Sequence, residues 1–199
     1  MPIESKKQFP MPDGFGRTSE AVKRKGLLRE HRSKAILAQR FTSSYGGTQL
    51  MGTGGDALVG EVDPTEAWQI LSSESTARLV DVRTRAEWGF VGVPDIGELG
   101  HQPLFVEWSQ FPDMSVNPAF VVTVEEAVGS ADVGKLLFIC RSGARSLHAA
   151  HAVAAHFAQS GKPAVCLNVA EGFEGDLDAL GHRGSHNGWK ARGLAWRQS

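Results

Sequence analysis

The 199-residue sequence predicts an α/β fold: a three-layer domain on a mainly parallel sheet of about five strands flanked by helices. Three features point that way. From about Val59 onward, short apolar runs alternate with helical stretches, the pattern of βα units. The runs ARLVDV, KLLFIC and AVCLN are almost continuously apolar, as strands covered on both faces must be. The chain is also long enough, at 41% hydrophobic residues, to bury a real core without disulfide staples.

The elements follow in order. Asp63-Pro64-Thr65-Glu66 reads as a helix start, with Asp63 as N-cap, Pro64 at the first helical position and Glu66 closing a capping box, ahead of Ala67, Trp68, Ile70 and Leu71. ARLVDV is a buried strand that ends in the charged turn Arg83-Thr84-Arg85. Leu104-Phe105-Val106 is a second strand candidate, and Asn117-Pro118 opens a helix through Phe120, Val121, Val124 and Val128. Lys135 to Cys140 is the clearest strand. An alanine-rich helix is expected from Ser146 to Ser160, then a strand over Ala164 to Asn168. No internal repeat is visible.

Residues 1–55 are of another kind. Residues 1–50 carry ten Lys+Arg against four Asp+Glu, a charge of +6 that the remainder balances to the overall −1. Pro, Gly and Ser are mixed with the basic run VKRKGLLREHRSKAILAQRF before SSYGGTQLMGTGG, whose apolar density is too low to offset the entropy of ordering it. The expectation is a mobile, largely disordered basic tail and Gly-rich linker ending near Gly55, with the domain and a C-terminal extension over 56–199. Leu27, Leu28, His31, Ala35 and Ala38 would make only a weak amphipathic stripe. A solubilising tail is preferred to a nucleic-acid or anionic-membrane contact and to a mitochondrial presequence, against which Glu4, Asp13, Glu20 and Glu30 are scattered through it. Met51 stands where the ordered part is expected to begin, so the upstream segment could be dispensable.

Composition excludes several classes. Two cysteines do not make a disulfide framework, and without a C-x-x-C pair structural zinc is not expected, so a reducing compartment fits. No run approaches the ~18 apolar residues of a membrane span, and MPIESKKQFP lacks a secretory apolar core. The localisation expected is cytoplasmic, with the mitochondrial matrix as the alternative; no nucleic-acid partner is expected.

The chemistry is concentrated between the strand LLFIC and the next helix, in Cys140-Arg141-Ser142-Gly143-Ala144-Arg145-Ser146. In open α/β sheets ligands bind beyond the carboxyl ends of the strands, where a turn into a helix aims N–H groups and a positive dipole outward. A cysteine there, beside Arg141 and Arg145, should be acidic and nucleophilic. Small residues at 142 to 144 let the backbone curl round the sulfur, and Gly143 allows a positive φ. The same nest suits an anionic substrate group.

These residues resemble the active-site loop of the rhodanese family, the single-domain thiosulfate sulfurtransferases, as CRSGAR. LVDVRTRAEW (79–88) is similar to the family's strand and charged turn, and VAEGFEGDLD (169–178) to its segment after the last strand, with Glu171-Gly172 where many members have Gly-Gly. The resemblance covers about residues 59–180, and HRGSHNGWKARGLAWRQS looks like an extension of a bacterial, particularly alphaproteobacterial, subset. It implies a three-layer fold and sulfur transfer through a Cys140 persulfide, with Arg141, Ser142, Gly143, Ala144 and Arg145 binding substrate. The N–H groups of 141 to 145 would hold the persulfide anion, and Arg145 or Arg141 the donor's sulfonate. Partners would be a small sulfur donor and a thiol, protein or cyanide acceptor, with no cofactor. Six residues run from Cys140 to Arg145, whereas the related phosphatases and arsenate reductases use seven, C-x5-R, and position seven here is Ser146. The alternative is a non-catalytic rhodanese-like interaction or regulatory domain, which often lacks the cysteine.

Other residues have plainer readings. Glu87, four positions after Arg83, predicts an ion pair with it that, with Asp81, holds the turn beneath the site; a direct catalytic role is the lesser option. Cys166 reads as an inert buried thiol, with a resolving cysteine as the alternative. His148, His151, His156, His182 and His186 read as partly solvated, with no metal site. Trp88, Trp108, Trp189 and Trp196 read as packing residues, although Trp88 and Trp108 could line a pocket mouth. Lys190, Arg192 and Arg197 read as solvated surface.

Overall fold

A computed structural model of the chain describes residues 59–129, 134–162 and 164–198. The expected tail, linker and boundary near Gly55 lie outside them. Five strands, β1 (Val59–Val62), β2 (Arg78–Asp81), β4 (Leu104–Phe105), β7 (Lys135–Ile139) and β8 (Val165–Val169), form one sheet in the order β1-β8-β7-β2-β4. Every neighbouring pair in it is parallel. The expected sheet is therefore observed.

Strand periodicity sorts the side chains into two layers. Leu136 and Phe138 of β7, with Val80 and Val82, face helices α3 (Phe120–Val128) and α4 (Ala144–Gln159). Leu137 and Ile139 of β7, with Leu79 and Leu167, face the other way, onto α1 (Pro64–Ser73) and α5 (Gly188–Ala191). α4 packs along Ala149, Ala150, Val153, Ala154 and Phe157, a stripe at helical spacing.

Local chemistry fixes the helix starts. Asp63 accepts from the Glu66 N–H at 2.8 Å while the Glu66 carboxylate accepts from the Asp63 N–H at 3.0 Å, the expected capping box. Thr84 and Glu87 form a second such box at the start of α2 (Arg85–Val91). α4 begins at Ala144, two residues before the expected start, because Gly143 in the left-handed conformation (φ 96°) ends the loop there.

Two short antiparallel ribbons were not expected: β3 (Val93–Pro94) with β9 (Trp196–Arg197), and β5 (Ser109–Gln110) with β6 (Ser115–Val116). The first fastens the C-terminal extension to the domain. Trp189 is fully buried there, 5.8 Å edge-on to Trp68, with its indole N–H donating to the Ala195 carbonyl at 2.9 Å. Arg192 and Arg197 are exposed, as expected, and Lys190 is half-buried, but all three have partners. The Lys190 ammonium lies 3.8 Å over the Trp196 ring and donates to the Val91 carbonyl at 3.0 Å. Arg192 pairs with Asp63 at 3.1 Å and with Glu171, and Arg197 with Asp95 at 3.7 Å. Aromatic faces and carboxylates on neighbouring segments supply partners that sequence spacing does not reveal.

Candidate active site

β7 ends at Ile139, so Cys140 stands just beyond the carboxyl end of the central strand, with the α4 N-terminus three residues on. The segment after β8 shapes the loop between. The Phe173 N–H donates to the Cys140 carbonyl at 2.8 Å, and the Glu174 and Gly175 N–H groups donate to the Arg141 carbonyl at 2.9 and 3.2 Å. Because a trans peptide points its N–H opposite its C=O, the Arg141 and Ser142 N–H groups are turned away from that segment. Gly172 makes the close approach possible: with φ 65°, any Cβ there would lie 2.6 Å from the Cys140 oxygen and the Ser142 nitrogen.

Cys140 Sγ has two donors within hydrogen-bond distance, the Gly143 N–H and the Ser146 hydroxyl, each at 3.2 Å. The residue is only 1% exposed, yet it lines the floor of a cleft of about 680 Å³. Ser142, Ala144, Arg141 and Arg145 line the same cleft, with Phe111 and Met114 of the β5–β6 hairpin, which are 70% and 43% exposed. The fold thus brings Cys140, Arg141, Ser142, Ala144 and Arg145 to one cavity, and Gly143 supplies the backbone donor to the sulfur.

The two loop arginines differ. Arg145 is held in a bidentate pair by Glu87, at 2.9 and 2.6 Å. Burial alone would raise the Glu87 carboxyl, but the Arg145 hydrogen bonds, with those from Thr84, outweigh it and hold it at about 2. Arg141 is exposed and has no carboxylate partner among the described residues. The expected Arg83–Glu87 pair is not made. Thr84 is the N-cap, so Arg83 precedes α2 and helical spacing does not apply to it. Arg83 instead forms a fully buried pair with Asp81 at 2.6 Å, donates to the Gly92 carbonyl at 2.8 Å and covers the Phe173 ring at 4.1 Å. It thereby braces the segment that holds the loop.

Two buried polar residues were missed by sequence reasoning. Ser146 and Asn168, 0% and 2% exposed, are joined by a 2.7 Å hydrogen bond, and Asn168 donates in turn to Glu61 at 3.0 Å. The signal available was a single polar residue in the apolar strand VCLNV, at the level of the loop. Cys166 is buried, and burial pushes its thiol up to about 12. It pairs in register with Leu136, four residues before Cys140. That is roughly 13 Å along the strand at ~3.3 Å per residue, beyond the ~7 Å limit on Cα separation for a disulfide. Trp88 stacks edge-on with Phe105 at 5.1 Å and Trp108 with Phe120 at 5.0 Å; neither lines the cleft. His156 pairs with Glu125 at 2.7 Å, and among the described residues no three His, Cys, Asp or Glu side chains converge to hold a metal.

No protein-family model matches the chain. An uncharacterized protein of Rickettsia rickettsii, an RP600 homolog, is 33% identical over 133 residues, 67% of this chain and 93% of that one. The uncharacterized RP600 protein of Rickettsia prowazekii is 31% identical over 140 residues, 70% and 98% of the two chains. Among solved structures, Rv0390 from M. tuberculosis matches at 42% identity and a TM-score of 0.60, over 70% of this chain and 97% of that one. A rhodanese-like domain protein from Staphylococcus aureus covers the same shares at 14% identity and a TM-score of 0.38, a likeness too weak to add to the assignment. The chain belongs to the family of these rickettsial proteins, and its own α/β core is similar to that of Rv0390.

Proposed function

We propose that this protein is a rhodanese-type sulfurtransferase that moves sulfane sulfur from thiosulfate or a related donor to a thiol or cyanide acceptor through a persulfide on Cys140. The observation that carries the reading is the pair of donors, Gly143 N–H and Ser146 Oγ–H, aimed at a cysteine sulfur on the floor of a cleft that also holds an uncommitted arginine. Donors at a sulfur stabilise negative charge on it, which both a nucleophile and a leaving group need.

In the first half-reaction the Cys140 sulfur attacks the outer sulfur of thiosulfate, and sulfite departs with the bonding pair. Arg141 receives the sulfonate oxygens, being exposed and free of a carboxylate, while Arg145 is spent on Glu87 and forms the wall. Ser142 and Ala144 leave room for the donor, and the N–H groups of Arg141 and Ser142, turned from the 173–175 segment, face the charge on the outer sulfur. In the second half-reaction an acceptor attacks that outer sulfur and Cys140 is regenerated. The thiol and its donors suffice for this chemistry without a cofactor. Residues 56–199 would carry it whole, and both cysteines being free suits a reducing compartment such as the cytoplasm. No helix among the described residues is long and apolar enough to cross a membrane.

The test is thiocyanate formation from thiosulfate and cyanide by the full chain, beside Cys140→Ser. Turnover that vanishes in the variant supports the reading. A wild-type protein that forms no thiocyanate, with any of several sulfane donors, moves the assignment to a non-catalytic interaction domain.

A further inference from the structure

Ser146 has one hydroxyl proton and three acceptors for it. Its Oγ lies 3.2 Å from Cys140 Sγ, 2.9 Å from the Gly143 carbonyl oxygen and 2.7 Å from Asn168 Oδ1. A hydroxyl donates to one acceptor at a time, so the sulfur competes with two neutral oxygens for that proton. The competition is sealed from water, because Ser146 and Asn168 are both buried. Asn168 cannot easily turn its amide, since its Nδ2 is engaged by Glu61 at 3.0 Å, and its Oδ1 therefore stays facing Ser146.

We propose that the Ser146 proton follows the charge on Cys140, and that Ser146 serves chiefly to stabilise Cys140 as the leaving group when sulfur is handed on. The inference rests on the sulfur-transfer reading of this site. During loading, a lone pair on Sγ forms the bond to the outer sulfur of thiosulfate, the bond from that sulfur to the sulfonate breaks, and sulfite takes the bonding pair. Negative charge leaves Sγ and ends on the departing sulfite, so a hydrogen bond to Sγ weakens as the transition state forms. The Ser146 O–H then points at Asn168 Oδ1 or at the Gly143 carbonyl oxygen. During release, an acceptor thiolate bonds to the outer sulfur, the Sγ–sulfur bond breaks, and its pair returns to Sγ; the acceptor leaves as a persulfide, or as thiocyanate when it is cyanide. Charge now arrives at Sγ, and the hydrogen bond strengthens with it. Only an interaction stronger in the transition state than before it accelerates a step, so Ser146 speeds release and not loading. Asn168 and Glu61 are positioning residues, holding the proton's resting place.

Single-turnover mixing of the full chain separates the two halves, with persulfide followed by intact mass after loading with thiosulfate and again after addition of cyanide. Ser146→Ala is expected to load within about threefold of wild type and to release about tenfold more slowly, the scale of one lost hydrogen bond to a charged group. Ser146→Thr, which keeps the hydroxyl, should restore release. Asn168→Leu, of similar volume, removes the competing oxygen and should speed release with loading unchanged, which carries the test if Ser146→Ala fails to fold. Equal slowing of loading and release in these variants, or no change in either, overturns the inference while leaving sulfur transfer intact. A wild-type protein that takes up no sulfur overturns sulfur transfer itself.

Discussion

Glu87 grips Arg145 through both carboxylate oxygens, at 2.9 and 2.6 Å, while one of those oxygens also accepts the Thr84 N–H at 2.9 Å. One side chain therefore ties the turn after β2 to the helix that follows the Cys140 loop. It also removes Arg145 from the set of cations free to meet a substrate.

That pair makes stability depend on acid. The Glu87 carboxyl, ordinarily near 4.5, is held at about 2 in the folded chain. A lowered folded value means that the stabilisation is complete above about pH 4.5 and disappears as the pH falls toward 2. Denaturant unfolding of wild type and Glu87→Gln should differ by about 2 kcal/mol at pH 7, after a discount for partial exposure, and converge near pH 2. A difference constant across that window would contradict the pairing.

Arg141 should govern donor capture. Arg141→Ala is expected to raise the KM for thiosulfate about tenfold with a smaller change in kcat, because a charge-assisted contact to the sulfonate exists before and during the reaction. Steady-state kinetics with thiosulfate beside an uncharged sulfane donor checks this, since the uncharged donor should lose little.

Much of this was legible because it is local. Asp63, Pro64 and Glu66 state a helix start within four residues, and the run from Lys135 to Cys140 states a doubly covered strand that places the loop at its end. The unread parts are contacts between segments remote in sequence. Spacing offered Glu87 as the partner of Arg83, but Thr84 caps the helix between them, and the true partner of Glu87 lies 58 residues on. Trp189 packs as expected, but its partners, the Trp68 ring and the Ala195 carbonyl, are not named by its spacing. Ser146 and Asn168 are 22 residues apart and meet only because α4 crosses back over β8. Glu171, in place of a glycine, is accounted for by its 2.8 Å contact with the Gly188 N–H and its pair with Arg192, both in the extension.

The loop should not tolerate a side chain at its cap. A Cβ at Gly143 would lie 1.8 Å from the Ala170 oxygen, with φ at 96°. Gly143→Ala is expected to cost roughly 2–4 kcal/mol in thermal or denaturant unfolding and to abolish turnover, since the Gly143 N–H must move from the sulfur.

The extension should behave as core. Trp189→Ala empties a fully buried site and is expected to cost about 3–5 kcal/mol, read from denaturant midpoints. A loss below about 1 kcal/mol would show that the extension is peripheral.

Cys166 should be dispensable. Its burial and its distance from Cys140 predict that Cys166→Ala forms thiocyanate at the wild-type rate. Disulfide mapping of oxidised protein checks the same point, for no bond joining the two cysteines should appear while the fold is intact.

Intact mass spectrometry of the full chain after thiosulfate, and again after cyanide, bears most directly on the role of Cys140. The predicted result is the gain of one sulfur atom by wild type, absent in Cys140→Ser and reversed by cyanide with thiocyanate released. Wild-type protein of unchanged mass, or sulfur bound equally by Cys140→Ser, would contradict a persulfide carried on that residue.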